Sequence, residues 1–245
     1  MFHRETASME NLMPVGAATY SSAMADAQNY ISWILDSFSR YLTPPILEIG
    51  VGHGSYADVL RGHGGYLGVD IDPASVEEAR RRFPSLDFRA VDVAGPEFVE
   101  LAREREVKTI ICLNVLEHIE DDVRAVTNLA RALQPGGHLL IIVPALQLLY
   151  NDLDRLAGHH RRYDRNQIRS HLAAAGLDVV RSDYFNSIGG LGWLANRAVR
   201  HGSLNDDAVN SQISLFDKWL VPLSRMADPA TRKFFGQSVI AVGRK

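Results

Sequence analysis

Apolar and polar positions along the chain follow two periods. Short apolar runs read as strands at about 45–50, 65–70, 86–91, 108–113, 138–143 and 178–185. Helical spacing separates them at 55–62, 96–105, 120–133 and 165–175. Asp72-Pro73 opens a further helix, with Asp72 as N-cap and Pro73 at its first position. Upstream, Tyr30, Ile31, Ile34, Leu35 and Phe38 share one face of a helix predicted over Ser21 to Tyr41, which Thr43-Pro44-Pro45 ends. Gln237 to Val242 alternates as a last strand. Strands and helices in strict alternation imply an α/β fold with a parallel sheet. Its ligands belong at the C-terminal ends of the strands.

Two segments interrupt the alternation. Ala145 to Asp164 follows the fifth strand, and roughly fifty residues separate the sixth from the seventh. In the second gap, Leu191 to Val199 and Ile213 to Met226 have helical periodicity and many large apolar side chains. This predicts a helical cap that selects an acceptor; an oligomerisation surface is the alternative. The expected organisation is an arm and helix at 1–44, a core at 45–187, the cap at 188–235 and a final core strand at 236–245.

Composition narrows the classes. At 245 residues and 46% hydrophobic, the chain can bury a sizeable core. A formal net charge of −3 argues against a general nucleic-acid binder. Cys112 is the one cysteine, so no disulfide within the chain and no thiolate metal cluster is possible, and it reads as a buried strand residue. There is neither an 18-residue apolar run nor a signal-like N-terminus, which suggests a cytoplasmic protein.

The chemistry begins at LEIGVGHGSY, Leu47 to Tyr56, with glycines at 50, 52 and 54. Asp70 ends the next apolar run, where a carboxylate can accept from a ribose diol. The pattern E-x-G-x-G-x-G departs from the dinucleotide G-x-G-x-x-G because Ser55 stands at its third glycine. It resembles motif I of the class I S-adenosylmethionine-dependent methyltransferases. Phe88 to Asp92, CLNVLEHIEDD (Cys112 to Asp122) and LQPGGHLLIIVP (Leu133 to Pro144) resemble further segments of that family in order and spacing. GHHRRY, the Phe185-Asn186 pair and the ending FFGQSVIAVGRK resemble a bacterial branch of it, over nearly the whole chain.

The resemblance implies a Rossmann-like, seven-stranded sheet with a helical cap inserted between strands 6 and 7. It also implies S-adenosylmethionine as cofactor. Glu48, Gly50, Gly52 and Gly54 would shape the methionine pocket, and Asp70 would take the ribose hydroxyls. Asp92 would face the adenine amine and Val93 its neighbouring nitrogen, with Asn114 and Val115 under the methionine portion. Ile71 and the arm residue Tyr20 complete the donor set. Asp72 is read as a helix cap, and a turn role competes at Asp92.

Acceptor residues are sought in YNDLDRLAGHHRRYD, Tyr150 to Asp164. His159, His118 and Tyr163 are the candidate catalytic side chains, His159 as a base. Tyr30, Tyr150, Asp154, Arg162 and Trp193 are candidate substrate contacts, with Arg162 able to grip an anion. The competing reading is a salt-bridged loop, Arg162 pairing with Asp154 or Asp164. No metal is expected, since His159-His160 lacks a nearby third ligand in sequence. An Asn/Asp-Pro-Pro-aromatic motif is absent after strand 4, and no tyrosine starts Tyr-x-x-x-Lys, so nucleobase methylation and short-chain dehydrogenation are disfavoured. The expected function is methyl transfer to a partly apolar or aromatic small molecule. Alternatives are a sugar, lipid-linked or other anionic acceptor, or a non-catalytic S-adenosylmethionine-binding partner subunit.

Overall fold

A computed structural model describes residues 22–52, 54–197, 202–205 and 207–245. Tyr20 and the rest of the expected arm lie outside the described residues. The strands are β1 (Ile46–Ile49), β2 (Tyr66–Asp70), β3 (Asp87–Ala90), β4 (Thr109–Leu113), β5 (His138–Pro144), β6 (Asp178–Phe185) and β7 (Ser238–Arg244). They form one sheet in the order β3-β2-β1-β4-β5-β7-β6. All neighbours are parallel except β7, which runs antiparallel to both β5 and β6. Strand order reverses between β1 and β4, and a crevice at such a point is where open α/β sheets bind ligands.

The strands read as near-continuous apolar runs because both faces are covered. One face packs Leu47, Val69, Ile110 and Ile141 against helices α4 (Pro96–Glu104), α5 (Asp122–Ala132) and α7 (Arg165–Ala174), through Phe98, Leu129 and Leu172. The other packs Ile46, Ile111, Leu140 and Ile142 against α1 (Gln28–Phe38), through Ile34 and Phe38. Helices α2 (Ala57–Leu60) and α3 (Pro73–Arg82) join this second cluster through Leu60 and Val76, and α6 (Asp152–Leu156) follows β5 in the chain. Asp72 caps α3, accepting from the amides of Ala74 and Ser75, as its pairing with Pro73 predicts. Cys112 is buried in β4.

Several boundaries differ from the expected ones for identifiable reasons. The predicted helix at 55–62 shortens to α2 and a 3₁₀ turn at Arg61–His63, stopped at Gly64 with its positive φ of 77°. Helix α6 was not expected; Asn151 and Asp154 form a capping box that starts it. The gap between β6 and β7 is helical, as α8 (Ser187–Asn196), α9 (Asp207–Leu215) and α10 (Val221–Thr231), with a π turn at Phe216–Leu220. Helix α8 begins before the predicted Leu191, because the Asn186 side chain accepts from the amide of Gly189.

The N-terminal helix is shorter than Ser21 to Tyr41 because its cap comes from elsewhere. Ala27 offers no side-chain cap. Instead Asp217, in the π turn, accepts from the amides of Asn29 (3.3 Å) and Tyr30 (2.8 Å). The inserted helices and α1 are thereby joined by one nearly buried carboxylate. We predict that Asp217→Ala lowers stability by about 0.5–2 kcal/mol, the usual loss of a helix cap. Chemical denaturation with an unchanged midpoint would contradict that coupling.

Candidate active site at the strand ends

The loop after β1 turns back on itself, with φ of 74° at Gly50, 46° at Gly52 and 73° at Gly54. At Gly50 a Cβ would lie 2.5 Å from Cγ2 of Val115, so the exits of β1 and β4 touch there. The loop is held by β2. Gly50 donates to the Val69 carbonyl (2.8 Å), and Gly52 donates to Oδ2 of Asp70 (3.0 Å). Oδ1 of Asp70 accepts from the amide of Asp72 (2.9 Å). Burial pushes the Asp70 carboxyl up, against the pull of these amides. With the Ile71 amide, three of its four or so lone-pair sites are used, which leaves capacity for a ligand hydroxyl.

Glu48 points from β1 toward the same end. It is 2% exposed, and Oε2 accepts from the Tyr66 hydroxyl (2.5 Å). Its Oε1 is buried without a partner. Burial, then the neighbouring Asp70, holds its carboxyl near 8 against the Tyr66 hydrogen bond. An orphaned carboxyl oxygen beside a glycine loop suits an ammonium or hydroxyl on a ligand. With the Asp70 oxygens, these residues fit the two polar ends of S-adenosylmethionine.

The remaining donor candidates sit at the same sheet end. Asp92 is exposed, and Oδ1 accepts from the Ala94 amide (2.9 Å), so the turn role is present. Val93 is buried, and its carbonyl accepts from Asn128 (3.0 Å). Asn114 is exposed at φ 54° just past β4, Val115 is half-buried, and Ile71 is 58% exposed.

The segment after β5 is organised by Asp154, which is fully buried. Oδ1 accepts from Nδ1 of His159 and from Nε of Arg162, each at 2.8 Å. Oδ2 accepts from the Asn151 amide (3.0 Å) and lies 3.4 Å from the Trp193 indole nitrogen. Burial raises the carboxyl, yet the His159 bond and the Arg162 charge hold it below the ordinary range. Arg162 also donates to the Ala145 carbonyl (3.1 Å) and lies over the Trp193 ring.

This arrangement corrects part of the expected acceptor set. Asp154 and Arg162 are engaged with each other, as the salt-bridged reading of the loop has it, and not open to a substrate. Tyr163 is 2% exposed, with its hydroxyl on Asp122 (2.8 Å) and the Leu116 carbonyl (3.1 Å), a buried anchor rather than a catalytic group. Tyr30 packs in the core against Trp33, Phe185 and Phe216, its hydroxyl hydrogen-bonded to Ser238 and Asn186. Tyr150 is half-buried and donates to the His159 carbonyl (2.8 Å). Trp193 remains half-buried on α8.

His159 and His118 do come together, their rings 4.8 Å apart. Glu117 joins them, a residue absent from the expected site. It is fully buried, neither carboxyl oxygen has a hydrogen-bond partner, and Oε1 lies 3.9 Å from Nε2 of His159. Burial pushes Glu117 up to about 7 despite the facing His159. Burial, then His159, pushes His118 down to about 3. The Glu-His dipeptide at a strand end was a usable signal, but only the fold shows that His159 meets it.

Glu48 generates a pH prediction. Its carboxyl lies near 8 when folded against an ordinary 4.5, so folding takes up a proton between those values. That stability is present in full at low pH and lost as pH rises through about 8. Glu48→Gln should flatten the decline by up to about 1.4 kcal/mol per pH unit. Urea melts across that range with the same slope in wild type and variant would show that Glu48 is already ionised.

Comparison with known proteins agrees with this fold. Residues 23–182 match the family described as methyltransferase domain. A probable S-adenosylmethionine-dependent methyltransferase of Mycolicibacterium smegmatis is 29% identical over 160 residues, covering 64% of this chain and 60% of that one. A ubiquinone biosynthesis O-methyltransferase of Alkalilimnicola ehrlichii is 33% identical over 100 residues, 39% of each chain. The chain thus spans less than two thirds of the length of these curated relatives. The N-methyltransferase NodS of Bradyrhizobium japonicum, solved with S-adenosyl-L-homocysteine, shares the fold at a TM-score of 0.52 and 17% identity, over 92% of this chain and 88% of that one. The family match at residues 23–182 covers well over half of the chain, and this chain belongs to the methyltransferase-domain family.

Proposed function

We propose that this chain transfers a methyl group from S-adenosylmethionine to a small-molecule acceptor that is partly apolar or aromatic. The observation that carries the donor half is the pair of buried acids, Glu48 with an orphaned oxygen and Asp70 with capacity to spare, around the glycine loop. When bound, S-adenosylmethionine supplies an electrophilic methyl group on a sulfonium. The protein's task is then to hold the donor, exclude water and bring the acceptor atom into line, since positioning alone can supply most of the acceleration.

For the acceptor half, the support is composition and placement. Helix α8 leaves the end of β6 with Trp193 stacked near Arg162, and the inserted helices are rich in large apolar side chains. We read them as the acceptor-selecting cap. Curated relatives whose names specify ubiquinone biosynthesis or trans-aconitate favour a small acceptor. Relatives named for the mRNA cap guanine make nucleic acid the second reading, against which the net charge of −3 stands. No described helix is long and apolar enough to cross a membrane.

A screen of phenols, carboxylic acids, amines and a capped RNA, read as S-adenosylhomocysteine release, tests the proposal. A turned-over small molecule is expected. Release with the capped RNA alone would overturn the acceptor class. Asp70→Ala should weaken donor binding by about 1–3 kcal/mol, the cost of stranding buried polar partners. His159→Ala should lower turnover about tenfold or more while donor affinity stays nearly constant, as for a positioning group or base. Full turnover in the His159 variant, with only a lower melting temperature, would make that histidine structural.

A further inference from the structure

Three buried polar atoms without partners converge at the exit of β4. Both carboxyl oxygens of Glu117 and Nδ1 of His118 lack hydrogen bonds. Stranding such atoms is costly, and native proteins leave few of them. Nε2 of His159 faces them. Ligand atoms of Glu117, His118 and His159 all lie within 4.8 Å of one another. They come from two segments, the 3₁₀ turn Leu116–His118 and the loop after α6.

The protonation pattern follows from the partners. Asp154 is accept-only when ionised, so Nδ1 of His159 must be the donor in their 2.8 Å bond. In the neutral ring, Nε2 then carries the lone pair. The other ring nitrogen of His118 is engaged with the Gly158 backbone, which leaves a lone pair on Nδ1. Nε2 of His159 and Oε1 of Glu117 are 3.9 Å apart, too far for a hydrogen bond. Two ligands on one tetrahedral ion with bonds of about 2.0–2.2 Å lie roughly 3.3–3.6 Å apart, so this pair is too wide by a few tenths of an ångström. No pair of these atoms is more than 4.8 Å apart, so closing on one ion takes movements of about 1.5 Å or less.

We propose that Glu117, His118 and His159 bind one divalent transition-metal ion, with Asp154 holding His159 in the ligating tautomer. Two imidazoles and one carboxylate suit zinc, cobalt, iron, nickel or manganese better than magnesium or calcium, which prefer oxygen. Three protein ligands leave positions open. A buried carboxylate behind a ligating histidine is the usual outer partner of such sites. The candidate third ligand comes from the turn after β4, about forty residues upstream, beyond the reach of a local reading of His159-His160.

The test uses chelator-treated full-length protein titrated with Co²⁺, read by visible absorption. One equivalent should saturate the signal, and Zn²⁺ should displace it while Mg²⁺ does not. His159→Ala and Glu117→Gln should each abolish the absorption. Asp154→Asn, which removes no ligand, should weaken binding about 10–100-fold. Zn²⁺ should also raise the melting temperature of the wild type, a readout that needs no variant. S-Adenosylhomocysteine binding, measured alongside, separates a failed metal site from a failed donor site. Wild type with no Co²⁺ absorption, or both ligand variants with undiminished affinity, would overturn the proposal.

Discussion

Burying a carboxylate among apolar strand ends is costly unless donors surround it. Among the acids buried at the C-terminal end of this sheet are Glu48, Asp70, Glu117 and Asp154. They divide by how fully they are matched. Asp154 has His159, Arg162 and the Asn151 amide around it, and it fixes the loop after β5. Asp70 is matched by backbone amides on both sides, and it fixes the loop after β1. Glu48 and Glu117 keep oxygens without partners. The matched acids build the frame, and the unmatched ones mark where chemistry is expected.

Backbone conformation repeats that division. Asn114, Leu146 and Asn186 all have positive φ, and each lies one or two residues beyond the end of β4, β5 or β6. For leucine this region is a genuine outlier. The Leu146 amide donates to the Tyr163 carbonyl (2.7 Å), which ties the exit of β5 to the Asp154 cluster. Asn186 has its amide on Asp228 and its side chain on Gln237 and Ser224, which ties the exit of β6 to the inserted helices. Strain of this kind persists where the surroundings over-determine it, as around functional sites.

The strands and the donor loop were legible because their signals are local. Apolar runs of four or five residues, glycines at alternate positions and an acid at a strand end all lie within a few residues of one another. The cap of Asp72 on α3 was legible for the same reason. What was not legible depends on residues far apart in sequence. Asp217 caps α1 from 187 residues away, so the start of that helix could not be read from its own residues. The Arg162–Asp154 pair was one of two readings the sequence left open, and the fold decides for it. Glu117 and His159 become neighbours only because β4 and β5 pair side by side.

Methyl transfer by this chain requires the acids and glycines at the ends of β1 and β2 to form a sulfur-nucleoside site rather than a dinucleotide site. Calorimetric titration of the intact chain with S-adenosylhomocysteine and, separately, with NAD tests this most directly. One equivalent of S-adenosylhomocysteine should bind, and NAD should give no heat. Binding of NAD with no response to S-adenosylhomocysteine would contradict it.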